Sequence, residues 1–167
     1  MEPHLIKPPF SESFIDRFVS ASERIFGQDA DDIWLNSLQW RLANMPDVTV
    51  FTVEMDDRLI GYKAGHALAY DRYYSWLGGA DPDYRRQGIG SLLMDAQHGW
   101  LGNSRFRQVE TYVEPKNTAM VQLNMKHGFI VGGQFMKGDK PFLIMQETLC
   151  GVSLMGTLRL AALHEGQ

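Results

Sequence analysis

Apolar residues recur at three-to-four spacing near the N-terminus and at every second position further on, and this change of period divides the chain. Phe14, Phe18, Ala21 and Ile25 predict an amphipathic helix that starts around Ser13 and Asp16 and is closed by Gly27. Trp34, Leu35, Leu38 and Leu42 predict a second helix, capped by Asp29 or Asp31 and ended by Pro46. Before them, Pro8-Pro9 closes a short leader. Val48 to Glu54 is β-branched and aromatic, Met55 to Arg58 is a turn, and Leu59 to Leu68 continues as the partner strand, so a hairpin is expected. Tyr73 to Ala80 is a third strand whose Gly78-Gly79 implies a bulge or a close backbone approach. Ile89, Leu92, Leu93, Ala96 and Trp100 return to helical spacing, and Val109 to Val113 alternates as a strand stopped by Pro115. Asn117 caps a helix carrying Met120, Leu123, Asn124 and His127 and ending at Gly128. Ile130 to Lys137 and Phe142 to Leu149 are then two strands around Gly138-Asp139-Lys140-Pro141. The order is two helices, three strands, helix, strand, helix, two strands, with no internal repeat.

Composition narrows the class. At 167 residues and 44% hydrophobic content, one domain over residues 1–149 is expected, followed by a tail over 150–167 in which Leu154, Leu158 and Ala162 can form a short helix. The single cysteine, Cys150, excludes an intrachain disulfide, and the first residues lack a basic region followed by an apolar core. No apolar run approaches the roughly 20 residues of a membrane span. A formal charge of −4 argues against a surface dedicated to nucleic acid. A soluble, cytoplasmic protein is expected.

The chemistry concentrates in Asp81-Pro82-Asp83-Tyr84-Arg85-Arg86-Gln87-Gly88-Ile89-Gly90-Ser91, where a strand gives way to a helix through a glycine-bearing loop. Unpaired N–H groups in the first helical turn make an anion site, and glycines let a phosphate reach the backbone. A dinucleotide fingerprint needs a glycine where Leu93 stands, and a nucleoside-triphosphate loop needs Gly-Lys followed by Ser or Thr, also missing. What remains, Arg85-Arg86-Gln87-Gly88-Ile89-Gly90, resembles the loop that holds the coenzyme A pyrophosphate in GCN5-related N-acetyltransferases. Asn117-x-x-Met120-x-x-Leu123-Asn124-x-x-x-Gly128-Phe129 resembles a second motif of that family at the expected distance, and the hairpin from Val53 to Tyr62 resembles its second and third strands. The resemblance covers about Val48 to Leu149.

The resemblance implies an α/β fold with a mixed, mostly antiparallel twisted sheet of six to seven strands and about four helices, splayed between the fourth and fifth strands. It implies acetyl transfer from acetyl coenzyme A to a primary amine of a small molecule or peptide, by direct attack and without a metal. Coenzyme contacts are expected from Gly79, Ala80, Arg85, Arg86, Gln87, Gly88, Ile89, Gly90, Ser91, Asn117 and Asn124. Asn124 stands where the family commonly carries a tyrosine that protonates the leaving thiolate, and an amide is no useful acid. Tyr112 or a water can substitute, or the thiolate can leave unassisted. For the general base, Glu110 and Glu114, His66 and Asp71 are the candidates, with Glu110 and Tyr112 sharing strand parity. His127, at a helix end, complements the dipole. Trp34, Trp40 and Tyr74 can line an acceptor pocket or belong to the core. The departure at Asn124 keeps open an acyl coenzyme A binding module without turnover, and the basic loop alone would also suit an acidic peptide. A homodimer is expected from the apolar strand Phe142 to Met145. Partners among membranes and nucleic acids are not expected.

Overall fold

A computed structural model describes residues 1–149. In chain order the elements are β1 (Pro3–Ile6), α1 (Glu12–Phe26), α2 (Asp32–Asn44), β2 (Thr49–Met55), β3 (Arg58–Ala67), β4 (Arg72–Ala80), α3 (Ile89–Gly102), β5 (Gln108–Val113), α4 (Thr118–Lys126), β6 (Ile130–Lys137) and β7 (Lys140–Thr148). Among the described residues, four helices and seven mostly antiparallel strands make the mixed α/β architecture that the resemblance implied. The one element missed is β1, inside the stretch taken as a leader, which pairs antiparallel with β2 from Pro3 opposite Val53 to Ile6 opposite Val50. Four residues are too few to show a period, and their partner lies some fifty positions away. The proposed tail helix lies outside the described residues. Among those residues no helix is long and apolar enough to cross a membrane.

The described chain packs as two compact units, one built from Met1–Leu68 with Tyr74–Gln97, the other from Ala69–Tyr73 with the chain from His98 onward. In the first, strands run in the order β1, β2, β3, β4. Ser11 caps α1 by accepting from the Phe14 N–H, two positions before the expected start, and Asp31 caps α2 through the Trp34 N–H. The stripes these caps phase are buried together: Phe14, Phe18, Ala21 and Ile25 of α1 and Leu35, Leu38 and Leu42 of α2 meet Val50, Leu59, Tyr62 and Ala64 of the sheet. Phe18 lies 4.2 Å from the Tyr62 ring, whose hydroxyl shares a 2.7 Å hydrogen bond with the Ser22 hydroxyl, so both buried hydroxyls are satisfied.

In the second unit the order is β5, β7, β6, with both pairings antiparallel. Thr111 stands opposite Met145 and Tyr112 opposite Ile144, which fixes two faces. Val109, Thr111, Val113, Met145 and Glu147 share one; Glu110, Tyr112, Ile144 and Gln146 share the other. Asn124 of α4 meets Met145, and His98 of α3 meets Glu147, so both helical segments of this unit contact the first face. On the second face Phe135 packs edge-on to Tyr112 at 5.0 Å and stacks on Phe142 at 5.5 Å.

Candidate active site

The loop between β4 and α3 is held from beneath by a buried carboxylate. Asp81, 1% exposed, accepts from Arg24 Nε at 2.9 Å and from Arg58 Nη2 at 2.6 Å through Oδ2, while Oδ1 accepts the Asp83 N–H at 3.1 Å. Burial alone would raise its pKa, but the Arg58 hydrogen bond, the Asp83 N–H and Arg24 outweigh it and hold the carboxyl below its ordinary value. Its own N–H donates to the Ile60 carbonyl at 2.7 Å. Arg24 also reaches the Leu59 carbonyl, so α1, β3 and the end of β4 converge on one side chain.

Above this clamp the loop takes up a strained, open backbone. Arg86 has φ of 61° and Gly88 of 78°, the first unusual for a side chain of that size and the second natural for glycine. A Cβ on Gly88 would meet nothing within 4 Å, so what the glycine supplies is conformation and access. The Leu92 N–H donates back to the Gly88 carbonyl at 3.0 Å, so α3 starts directly out of the glycine turn. Arg85 turns inward: its Nε donates to the Ala80 carbonyl at 3.2 Å and its Nη2 to the Ile25 carbonyl at 3.0 Å, closing the C-terminal turn of α1. Arg86, Gln87 and Gly90 are exposed.

The glycines of β4 are places of close approach. A Cβ on Gly79 would lie 2.5 Å from Ile25 Cγ2, and one on Gly78 would lie 3.2 Å from the Tyr62 carbonyl oxygen. Gly61 does the same for α3, since a Cβ there would stand 2.7 Å from Ile89 Cγ2. Glycine at these positions lets α1 and α3 bracket the sheet directly beside the loop.

In the second unit Asn117 caps α4 by accepting the Met120 N–H at 3.3 Å. Asn124 is 2% exposed; its side-chain Nδ2 donates to Met145 Sδ at 3.6 Å, and its backbone carbonyl accepts the N–H groups of His127 and Phe129. The side chain aligned with the family tyrosine thus addresses a sulfur, although a thioether within the protein. Glu110 and Tyr112 stand on the opposite face. Glu110 Oε1 receives Arg72 Nη2 at 2.5 Å, and Oε2 receives the Tyr112 hydroxyl at 3.3 Å. Burial, then the Glu110 charge and hydrogen bond, raise the Tyr112 phenol above its ordinary pKa.

The other candidates separate. Glu114 is paired with Lys116 at 3.1 Å. Asp71 offers its carbonyl to Arg107 and Gln108. His66 is buried, its Nδ1 at 2.9 Å from the Ala67 carbonyl, and burial lowers its pKa. Trp34 packs on Phe26 within the core, Tyr74 lies edge-on to His66, and Trp40 is 58% exposed. His127 follows α4 as its cap, 6.2 Å from the His98 ring. Sequence reasoning found the loop and the strand parity. It missed Arg24, Arg58 and Arg72, because an arginine distant in sequence carries no sign of which carboxylate it will meet.

Solved structures share this fold. The chain aligns with the ribosomal-protein-S18-alanine N-acetyltransferase of Escherichia coli at 14% identity and a TM-score of 0.72, over 88% of this chain and 94% of that one. For aminoglycoside 6'-acetyltransferase type Ii the values are 12%, 0.75, 90% and 98%. For the PaiA N-acetyltransferase of Thermoplasma acidophilum, solved with coenzyme A, they are 16%, 0.68, 89% and 99%. No curated protein sequence matches. The model of the acetyltransferase (GNAT) family matches residues 13–129, which takes in α1, the clamp, the glycine loop and all of α4, and the chain therefore belongs to the GNAT family of acetyltransferases.

Proposed function

We propose that the protein is an acetyl coenzyme A-dependent N-acetyltransferase acting in the cytoplasm on a primary amine of a small molecule or peptide. One observation carries this reading: the loop from Arg85 to Ser91, with left-handed backbone at Arg86 and Gly88, opens directly into α3 on a buried clamp. A glycine-bearing, left-handed turn that opens a helix suits the coenzyme pyrophosphate. Acetyl coenzyme A is the cosubstrate, held at the loop by Arg86, Gln87, Gly88, Ile89, Gly90 and Ser91, with Gly79 and Ala80 as backbone donors to its pantetheine arm. Arg85 braces the loop from within. When bound, acetyl coenzyme A supplies the activated acetyl group. Asn117 and Asn124 complete the coenzyme contacts on α4, Asn124 as a donor toward sulfur and not as an acid. Glu110 and Tyr112 handle the protons. A preorganised backbone N–H near the thioester carbonyl stabilises the oxyanion of the attack.

Calorimetry tests the loop. Arg86→Ala should weaken acetyl coenzyme A binding less than Gly88→Val, which forces a β-branched residue into left-handed backbone. Unchanged affinity in Gly88→Val and in Gly90→Val would remove the pyrophosphate assignment. The second reading, a coenzyme-binding module without turnover, is favoured by Asn124 and the lack of the family tyrosine. Release of coenzyme A thiol with any primary amine decides against it. The protein is further proposed to be a homodimer.

A further inference from the structure

Apart from the glycine loop, the first unit carries a cavity of about 290 Å³ between α1 and the turn that joins β2 to β3. Asp16, Ser20 and Arg24, one helical turn apart on α1, line one wall with Arg17 beside them, and Asp57 and Arg58 of the hairpin line the other. Each guanidinium is held by a carboxylate that is not part of this lining. Arg17 Nη1 donates to Glu54 Oε1 at 2.7 Å, and Arg24 and Arg58 both donate to Asp81 Oδ2. The three arginines are therefore fixed before any ligand arrives, which removes much of the ordering cost that a free side chain would bring to binding. Fixing does not exhaust their donors. Among the described residues Arg17 Nε and Nη2, Arg24 Nη1 and Arg58 Nη1 have no hydrogen-bond partner. At 39%, 33% and 41% exposure, the three side chains are open to a ligand from solvent.

The two acids of the lining choose the class of ligand. Asp16 and Asp57 are exposed and take part in no ion pair among the described residues. A bare anion such as phosphate would gain three cations here but would also meet both carboxylates. A molecule that carries a carboxylate and an ammonium side by side satisfies both signs at once.

We propose that this cavity binds a small zwitterion, a free α-amino acid with a short side chain, whose carboxylate takes the unused nitrogens of Arg17, Arg24 and Arg58 and whose ammonium takes Asp16 and Asp57. The planar guanidinium fork matches a carboxylate, and the three donors of an ammonium are enough to serve two acids. A peptide terminus offers one of the two charges and a free amino acid offers both, so the cavity selects the latter. The site is separate from the acetyl-transfer reading and stands whether or not the protein turns over. Since Arg24 and Arg58 also hold Asp81, the ligand shares two arginines with the support of the glycine loop.

Titration calorimetry of the full-length protein at neutral pH and low salt, without coenzyme and with L-alanine as the added ligand, tests the site. L-Alanine should bind with a Kd of about 1 mM or tighter. L-Alaninamide lacks the carboxylate and N-acetyl-L-alanine lacks the ammonium, so each should bind at least about tenfold more weakly, as should inorganic phosphate. Arg17→Gln changes the one arginine of the three that stands outside the Asp81 clamp, and should weaken L-alanine about tenfold with an unchanged melting curve. Asp16→Asn should weaken L-alanine yet strengthen N-acetyl-L-alanine, a crossover that a loss of folding cannot produce and that decides the matter even where the arginine variant folds poorly. No heat from L-alanine up to about 50 mM would overturn the site. N-acetyl-L-alanine or phosphate binding as tightly as L-alanine would overturn the zwitterion, and wild-type affinity in both Arg17→Gln and Asp16→Asn would overturn its placement in this cavity.

Discussion

Lys63 lies on the α3 side of β3, two residues from the Gly61 that touches Ile89 and beside Gly78 of β4, with no partner for its ammonium among the described residues. Burial lowers its pKa from 10.5 to about 8. The folded state thus binds fewer protons than the unfolded chain between those values, and stability rises with pH across that window. At pH 7 the cation is charged and poorly solvated, which works against folding. Lys63→Met should raise stability at pH 7 by about 1–3 kcal/mol, a value discounted for the partial exposure of the side chain, and should flatten the rise between pH 8 and 10. Chemical denaturation of both proteins at pH 7 and 9.5 checks this. Equal slopes would mean that the ammonium reaches water. Gly79 has the opposite character, since here space is lacking. Gly79→Ala pushes a Cβ to 2.5 Å from Ile25 Cγ2, so either α1 shifts or the strand bends. A loss of about 1–3 kcal/mol is expected, and an unchanged melting temperature would rule out the close approach.

Asp81 works at the level of elements, because it ties the last turn of α1 and the start of β3 to the end of β4. Asp81→Ala leaves Arg24 without its carboxylate and Arg58 with only the exposed Asp83 at 3.5 Å. A loss of about 2 kcal/mol is expected, below the 3–5 kcal/mol of a fully buried pair since Arg24 and Arg58 remain 33% and 41% exposed. The folded pKa is depressed, so this contribution is complete above the unfolded value of 3.8 and fades as pH falls through the folded one. Acid unfolding monitored by circular dichroism should therefore be less steep in the variant. Coenzyme affinity should fall with the clamp, and unchanged affinity would separate the loop from its support. Elements of this kind were legible where the signal is local. β6 was placed at its observed ends, Asp31 and Asn117 were found as caps, and α3 was placed from the return of helical spacing. β1 and the clamp were not, because the first is four residues long and the second joins residues 24, 58 and 81. The pairing of Glu110 with Tyr112 followed from period-two alternation alone, whereas the separation of both from Asn124 needed the register of β5 against β7.

At the scale of the whole molecule, the proposed homodimer turns on which strand is free to pair. Phe142 to Met145, the segment from which a dimer was expected, lies in β7, and β7 has β5 on one side and β6 on the other. Its backbone is already used. Among the described residues two terminal strands remain, β1 and β6. β1 is four residues long, the short kind of edge that discourages pairing. β6 is twice that length and leaves Ile130, Val131 and Met136 exposed at 67%, 49% and 62%. A register shift between Val131 and Gly133 interrupts its first residues, which leaves Gly133 to Lys137 as the regular stretch. An isologous contact along that stretch would set Met136 against its counterpart region in a second copy. Sedimentation should then give twice the 19.0 kDa of one chain, falling to the single mass at low concentration. Met136→Lys should weaken association at least tenfold, about 1.4 kcal/mol, by placing like charges in the contact, while acetyl coenzyme A affinity stays at the wild-type value. A monomer at every concentration would end the proposal, and a dimer unaffected by Met136→Lys would move the contact away from β6.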